Sequence, residues 1–344
     1  MFSLKKNRLT LLVVNALFLS SVSAFSVYSQ SASAEDVSNV PVIEELVNML
    51  TKLAHGPHAG YRAFHAKGIM AKGDFTPSPS ASSLSLAPFL QSTTTPVLVR
   101  FSNGTGVPNI GDADPNGMPK GIAIRFQLSD GAISDMVYIS VNSFPAATPE
   151  DFLGLLNAVA ASGPDAEKPT PVEQFLDSHP AALRFVKTPK PAPISFATQA
   201  FYGVNAFKFT NAKGESRYGR YRITPINGTQ YLSDDQAAKA APDYLMDELP
   251  THLSKAEAKF KISVQLAEKG DIINDGTEVW SEDRQQIELG VLTLKATLPD
   301  SKQVEKTLMF SPLNLTDGIV PSEDPILLAR PASYAVSFGR RLGH

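Results

Sequence analysis

The chain has 344 residues, 43% of them apolar and 19% charged, with a formal net charge of −3 and no cysteine. That length accommodates one large domain or two ordinary ones. The charge balance excludes a dedicated nucleic-acid binder, which needs a basic surface, and the absence of thiols excludes cysteine nucleophiles, thiolate-held metals and disulfide staples.

Lys5, Lys6 and Arg8 precede the apolar run LTLLVVNALFLSSVSA, and small residues follow up to Ala24 and again up to Ala34. A basic start, a short apolar middle and a small-x-small exit predict a cleaved secretory signal over 1–34, cut after Ala24 or Ala34. Asn15 and several serines make the run short for a membrane span. Removing it takes away three basic and no acidic residues, so the mature charge is 28 − 34 = −6. The expectation is a single domain over 35–344, periplasmic or secreted, with no membrane span.

Residues 35–54 carry apolar side chains at Val42, Ile43, Leu46, Val47, Leu50 and Leu53, a helical stripe that Gly56 and Pro57 stop. The Pro-, Ser- and Thr-rich stretch 75–96 reads as a loop with at most a short helical turn. Strand patterns follow at 96–103, 121–131 and 132–141, as a hairpin over 205–225, and at 260–270 and 286–299. Helical patterns lie between them at 148–162, 170–186 and 233–255, each opening on Thr or Ser with acidic residues close behind. His179 and Pro180 predict a break in the second. A last helix starts near Asp324, with Pro331 disturbing it. Antiparallel strands separated by turns, with helices around them, make the expected fold an α+β domain on an antiparallel β-barrel core.

The candidate chemistry begins with histidine. His55, His58 and His65 fall within eleven residues, yet their spacing matches neither a metalloprotease helix nor a zinc finger. They are open to reading as loop histidines, a zinc-hydrolase site or an acid–base group. No G-x-S-x-G elbow, P-loop or dinucleotide fingerprint is present. In the tail, Arg330 and Tyr334 are four apart and share a helix face. A guanidinium stabilises an ionised phenol, and a phenolate is one of the few axial ligands haem iron accepts. Alone, the pair is a weak signal, because an ordinary exposed helix surface carries it far more often than a haem site does.

The segments GYRAFHAKG, VRFSNG, GIAIRF, EVWSEDRQQIELGVLTL, MFSPLNL and DPILLARPASYAVSFGRRLG occur in that order between about Gly56 and Gly343. Together they resemble the haem catalases, and most closely the short catalase-related peroxidases, which keep the catalase core without the family's C-terminal helical domain. The resemblance implies a haem b cofactor. It makes His65 the distal acid–base group and Ser102 the residue that orients it. It makes Tyr334 the axial ligand of the haem iron, with Arg330 holding the phenolate. Arg62, Arg100 and Arg341 fall on the arginines that pair with the haem propionates, a pairing that suits bidentate guanidinium–carboxylate geometry. Phe152 falls on the phenylalanine that stacks on the haem.

One segment departs from the family. Where catalases carry G-N-N-T-P, with an asparagine assisting the distal histidine, this chain has Tyr138, Ile139, Ser140, Val141 and Asn142. Asn142 is displaced, and Ser140 is a weak substitute. The implied activity is therefore a peroxidase that reduces organic peroxides, hydrogen peroxide or both with an external small-molecule electron donor, and with weak catalase activity. The competing reading is a non-enzymatic periplasmic haem-binding protein. A monomer or small homo-oligomer is expected.

Overall fold

The computed structural model describes residues 40–343. The expected signal segment and the first residues of the expected first helix lie outside them. The described elements begin with α1 (Val40–Leu53), β1 (Gly68–Pro77) and α2 (Ala81–Leu84), followed by β2 (Thr95–Ser102), β3 (Gly121–Gln127) and β4 (Ile133–Ile139). Three helices come next: α3 (Pro149–Ala160), α4 (Pro171–Ser178) and α5 (Pro180–Lys187). The chain then forms β5 (Phe201–Tyr202), β6 (Phe207–Thr210) and β7 (Ser216–Pro225), then α6 (Asp234–Lys239) and α7 (Tyr244–Leu253). It ends with β8 (Ala258–Leu266), β9 (Gln286–Thr297), α8 (Ser301–Thr307), β10 (Ile319–Pro321) and α9 (Pro325–Leu342).

The strands run β7-β5-β4-β3-β2-β1-β9-β8, and β8 pairs back onto β7 from Gly219↔Leu266 to Pro225↔Phe260. The result is a closed, antiparallel, eight-stranded barrel, with β6 and β10 added as a flap beside β7. Closure removes unpaired edges. Alternation along each strand sends one set of side chains inward and the other out. The interior set is aromatic and aliphatic: Phe101 stacks on Phe196 at 5.0 Å and Phe89 on Phe126 at 4.3 Å, with Phe75, Phe201, Ile262 and Leu292 fully buried around them.

Several helix boundaries follow the sequence signals. Thr148 caps α3 by accepting a hydrogen bond from the Asp151 amide, and Thr170 and Glu173 form a complete capping box on α4. Pro180 separates α4 from α5, as expected. Three expectations need correction. The stretch 75–96 is not a loop throughout: its first residues complete β1, and a helical turn at α2 follows. The segment 233–255 is two helices, because Pro242 cannot continue the first. Pro331 does not interrupt the last helix, which runs unbroken from its Asp324 cap to Leu342.

Candidate active site

The outward side chains of β2, β3 and β4 form a wall. The register sets Ser102 beside Gly121 and Ile139, and Arg100 beside Ala123 and Val137. Glycine and alanine on the middle strand leave this wall flat. Helices α1, α3 and α9 pack outside it around a cavity of about 400 Å³. All eight candidate residues line that cavity: Arg62, His65, Arg100, Ser102, Phe152, Arg330, Tyr334 and Arg341.

His65 lies in the loop between α1 and β1 with a backbone φ of 56°, a left-handed conformation rare for a residue with a Cβ. Ser102 Oγ is 3.1 Å from its Nδ1, and the Phe64 ring meets the imidazole edge-on at 4.9 Å. A Cβ on Gly121 would stand 2.8 Å from both His65 Cε1 and Ser102 Oγ, so only glycine leaves room for the imidazole here. The ring is enclosed by protein except toward the cavity. Burial, and then the positive charge of Arg100, lower its pKa from 6.5 to about 3, against a hydrogen bond to the Asn103 backbone that works the other way. The imidazole is therefore neutral at ordinary pH.

The tail helix α9 presents Arg330, Tyr334, Ser337 and Arg341 to the cavity, a spacing of four, three and four that keeps them on one stripe. Arg330 Nε donates to Tyr334 Oη at 3.0 Å. The rest of its guanidinium is also committed, to Asn205 Oδ1 at 2.9 Å and the Val137 carbonyl at 2.8 Å. Asn205 in turn donates to Asp324 Oδ2 at 2.7 Å, while Asp324 Oδ1 caps the start of α9. The helix cap, the arginine and the phenol thus form one connected chain.

At the other end of the stripe three guanidinium groups converge. Arg100 Nε donates to Glu305 Oε2 at 2.5 Å, and Arg62 reaches the same oxygen at 3.5 Å. Arg62 and Arg341 both donate to the Leu308 carbonyl. Burial and then mutual repulsion, chiefly from Arg100, push the Arg62 pKa well below the usual arginine range and that of Arg341 down to about 10. Among the described residues, Glu305 is the one carboxylate paired with this trio. Phe152, from α3, meets the Phe144 ring at 5.0 Å on the cavity's apolar side.

The segment that departs from the catalase pattern presents only Tyr138 and Ile139 to the cavity, with Val137 just before it. Ser140 Oγ accepts from the Lys120 amide at 2.9 Å, and Asn142 turns to Glu282. Neither supplies an amide or hydroxyl to the site. Nor do the three N-terminal histidines converge: His58 Nε2 bonds the Ala54 carbonyl at 2.9 Å, and among the described residues no three His, Asp or Glu side chains cluster to hold a metal. Asn205 and Glu305 escaped the sequence reading because each is defined by a partner more than a hundred residues away, with no local motif to mark it.

Comparison with known proteins places this geometry. The sequence model of the family described as Catalase matches residues 23–344. A catalase-related peroxidase of Mycolicibacterium paratuberculosis is 34% identical over 84% of this chain and 91% of its own length. One from Synechococcus elongatus is 32% identical over 83% of this chain and 85% of its own length. Among solved structures, a fungal catalase superposes with a TM-score of 0.74 at 24% identity, covering 86% of this chain; this chain spans 63% of that one. The structural likeness shows the shared fold. The sequence matches, over nearly the whole described domain, show that the chain belongs to the catalase family, in a short form built on the barrel core.

Proposed function

We propose that this protein is a periplasmic or secreted haem b-dependent peroxidase that reduces organic peroxides, hydrogen peroxide or both with electrons from a small external donor. The observation that carries the reading is the convergence on one apolar cavity of three unlike groups: a serine-oriented neutral imidazole, an arginine-held phenol and a trio of arginines.

The residues fit the cofactor. Three guanidinium charges against Glu305 leave 3 − 1 = +2 at one end of an apolar slot, a surplus that the two carboxylates of a haem would neutralise. Tyr334 would hold the iron, Arg330 the phenol oxygen, and Phe152 a face of the macrocycle. Bound there, haem iron would supply the electrons that cleave the peroxide bond.

The chain's own contribution is proton handling. With Nδ1 engaged by Ser102, the other imidazole nitrogen of His65 takes the proton from one peroxide oxygen and returns it to the departing oxygen, which leaves as water or an alcohol. The neutral state of His65 suits the first half of that exchange. Completing a catalase cycle requires a second hydrogen peroxide to be held and oxidised. Ile139, Val137 and Phe152 offer it no hydrogen bond, whereas an alkyl hydroperoxide gains from their apolar surface. Electrons then come from an outside donor.

The decisive experiment is an absorption spectrum of the purified protein together with peroxide-dependent oxidation of a dye. A ferric, tyrosine-ligated haem spectrum, with dye oxidation lost in His65→Ala while haem is retained, is the expected result. A colourless protein that cannot be reconstituted, or a coloured one whose dye oxidation ignores His65, overturns the reading.

A further inference from the structure

Behind His65 lies a buried charged cluster that the proton chemistry does not use. Lys120 is fully buried, and its Nζ donates to Asn103 Oδ1 at 2.7 Å and to the Asp112 carbonyl at 2.6 Å. Asn103 Nδ2 donates to Asp112 Oδ1 at 2.8 Å, and Lys67 Nζ reaches the same carboxylate oxygen at 2.8 Å. Asn103 and Asp112 are also fully buried.

The cluster's position along the strands gives it a role. Ser102 and Gly121 are the last register pair of β2 and β3, and they are the two residues that abut the imidazole. Asn103 follows Ser102 and Lys120 precedes Gly121, so their side-chain bond ties the next rung out. Asn103 also receives the loop: its amide donates to the carbonyl of Lys67, two residues past His65, at 3.0 Å. Burying a lysine and an aspartate costs desolvation that an apolar pair would avoid. A left-handed non-glycine residue persists only where its surroundings over-determine it. Here the charges converge on one amide side chain, next to the strained residue.

We infer that Asn103 is a positioning residue for His65, clamped by Lys120 and Asp112, and that the clamp holds the imidazole in its working orientation. The inference rests on the peroxidase reading of the site. It assigns no chemistry to the cluster itself.

The test is a double-mutant cycle on haem-loaded protein, with His65→Ala and Asn103→Ala singly and together. The readouts are the rate of reaction with a peroxide, the rate of cyanide binding and the haem spectrum. Asn103→Ala is expected to slow the peroxide reaction about 10- to 100-fold, in kcat more than in KM, and to slow cyanide binding in parallel with the haem spectrum kept. In the His65→Ala background the same change should have no further effect, because its action passes through the imidazole. An equal loss in both backgrounds, or wild-type rates in Asn103→Ala, overturns the inference. If Asn103→Ala does not fold, the cycle is read with Lys120→Met and Asn103→Ser, under the same two outcomes. Should His65→Ala itself leave the peroxide reaction intact, the peroxidase reading is what fails.

Discussion

Ser102 Oγ and His65 Nδ1 stand 3.1 Å apart, joining the end of β2 to a loop 37 residues earlier in the chain. The bond fixes which imidazole nitrogen is left to meet a substrate. His65→Ala is expected to lower the peroxide reaction by about 10²- to 10⁴-fold, the range of a lost acid–base group. Ser102→Ala, which leaves the ring present but less well aimed, should cost about 10- to 100-fold. Stopped-flow absorbance on haem-loaded protein measures both, and a Ser102→Ala loss equal to that of His65→Ala would contradict the division of roles.

Gly121→Ala probes the same spot by volume. The added methyl group would meet both the imidazole and the Ser102 hydroxyl at 2.8 Å. Both are side-chain atoms that can swing away, so the fold should survive with a small drop in melting temperature. The peroxide rate should fall at least about tenfold. An active Gly121→Ala variant would show that His65 tolerates a different pose.

The pH profile follows from the low pKa of His65. A value of about 3 in the fold, against 6.5 ordinarily, means that the unfolded chain binds the proton first as pH falls. The stability contributed by this group is fully present above pH 6.5 and is lost progressively between 6.5 and about 3. The peroxide reaction, which needs the neutral ring, should be flat from about pH 8 to pH 5. An acid limb centred near pH 6.5 that disappears in His65→Ala would refute this.

Tyr334→Phe removes the oxygen that Arg330 addresses and keeps the ring. Haem retention, measured by the Soret absorbance after gel filtration, should drop steeply while the melting temperature of the haem-free protein hardly moves. Asn205→Leu should act at one remove, because it frees one arm of the Arg330 guanidinium. Its haem should be retained with a shifted spectrum. If Tyr334→Phe retained haem with an unchanged spectrum, another ligand would have to be sought.

Ile139→Asn places an amide on the wall where the catalase pattern carries asparagine. Oxygen evolution from hydrogen peroxide should rise relative to dye oxidation, at a stability cost of about 1–3 kcal/mol for an imperfectly bonded buried amide. Parallel oxygen-electrode and dye assays give the ratio. An unchanged ratio in a folded, haem-loaded variant would dissociate this position from the choice between the two activities.

The regular strands β2, β3, β4 and β9 were legible because alternation and β-branched residues mark them. β1 was not. Gly68, Gly73 and Pro77 dilute its pattern, although Gly73 is there because a Cβ would strike the Thr293 carbonyl where the pairing with β9 shifts register. The eight candidate residues stand in the sequence as fragments of motifs, and their meeting around one cavity is a property of the barrel that no single fragment contains. Asn205, Glu305 and the Lys120 cluster were not legible there, because a buried polar side chain is specified by whichever partners reach it in space.

The stripe on α9 has a consequence for assembly. His65 and Tyr334 are 334 − 65 = 269 residues apart, and the strands of the barrel come between them. A chain that has emerged only as far as β9 holds all eight barrel strands yet offers neither the phenol nor Arg341. On the proposed reading, cofactor capture would wait until the last helix has docked, and a redox-active iron would not be handed to a half-finished wall. A translation product ending before Pro325 should fold a barrel and remain colourless.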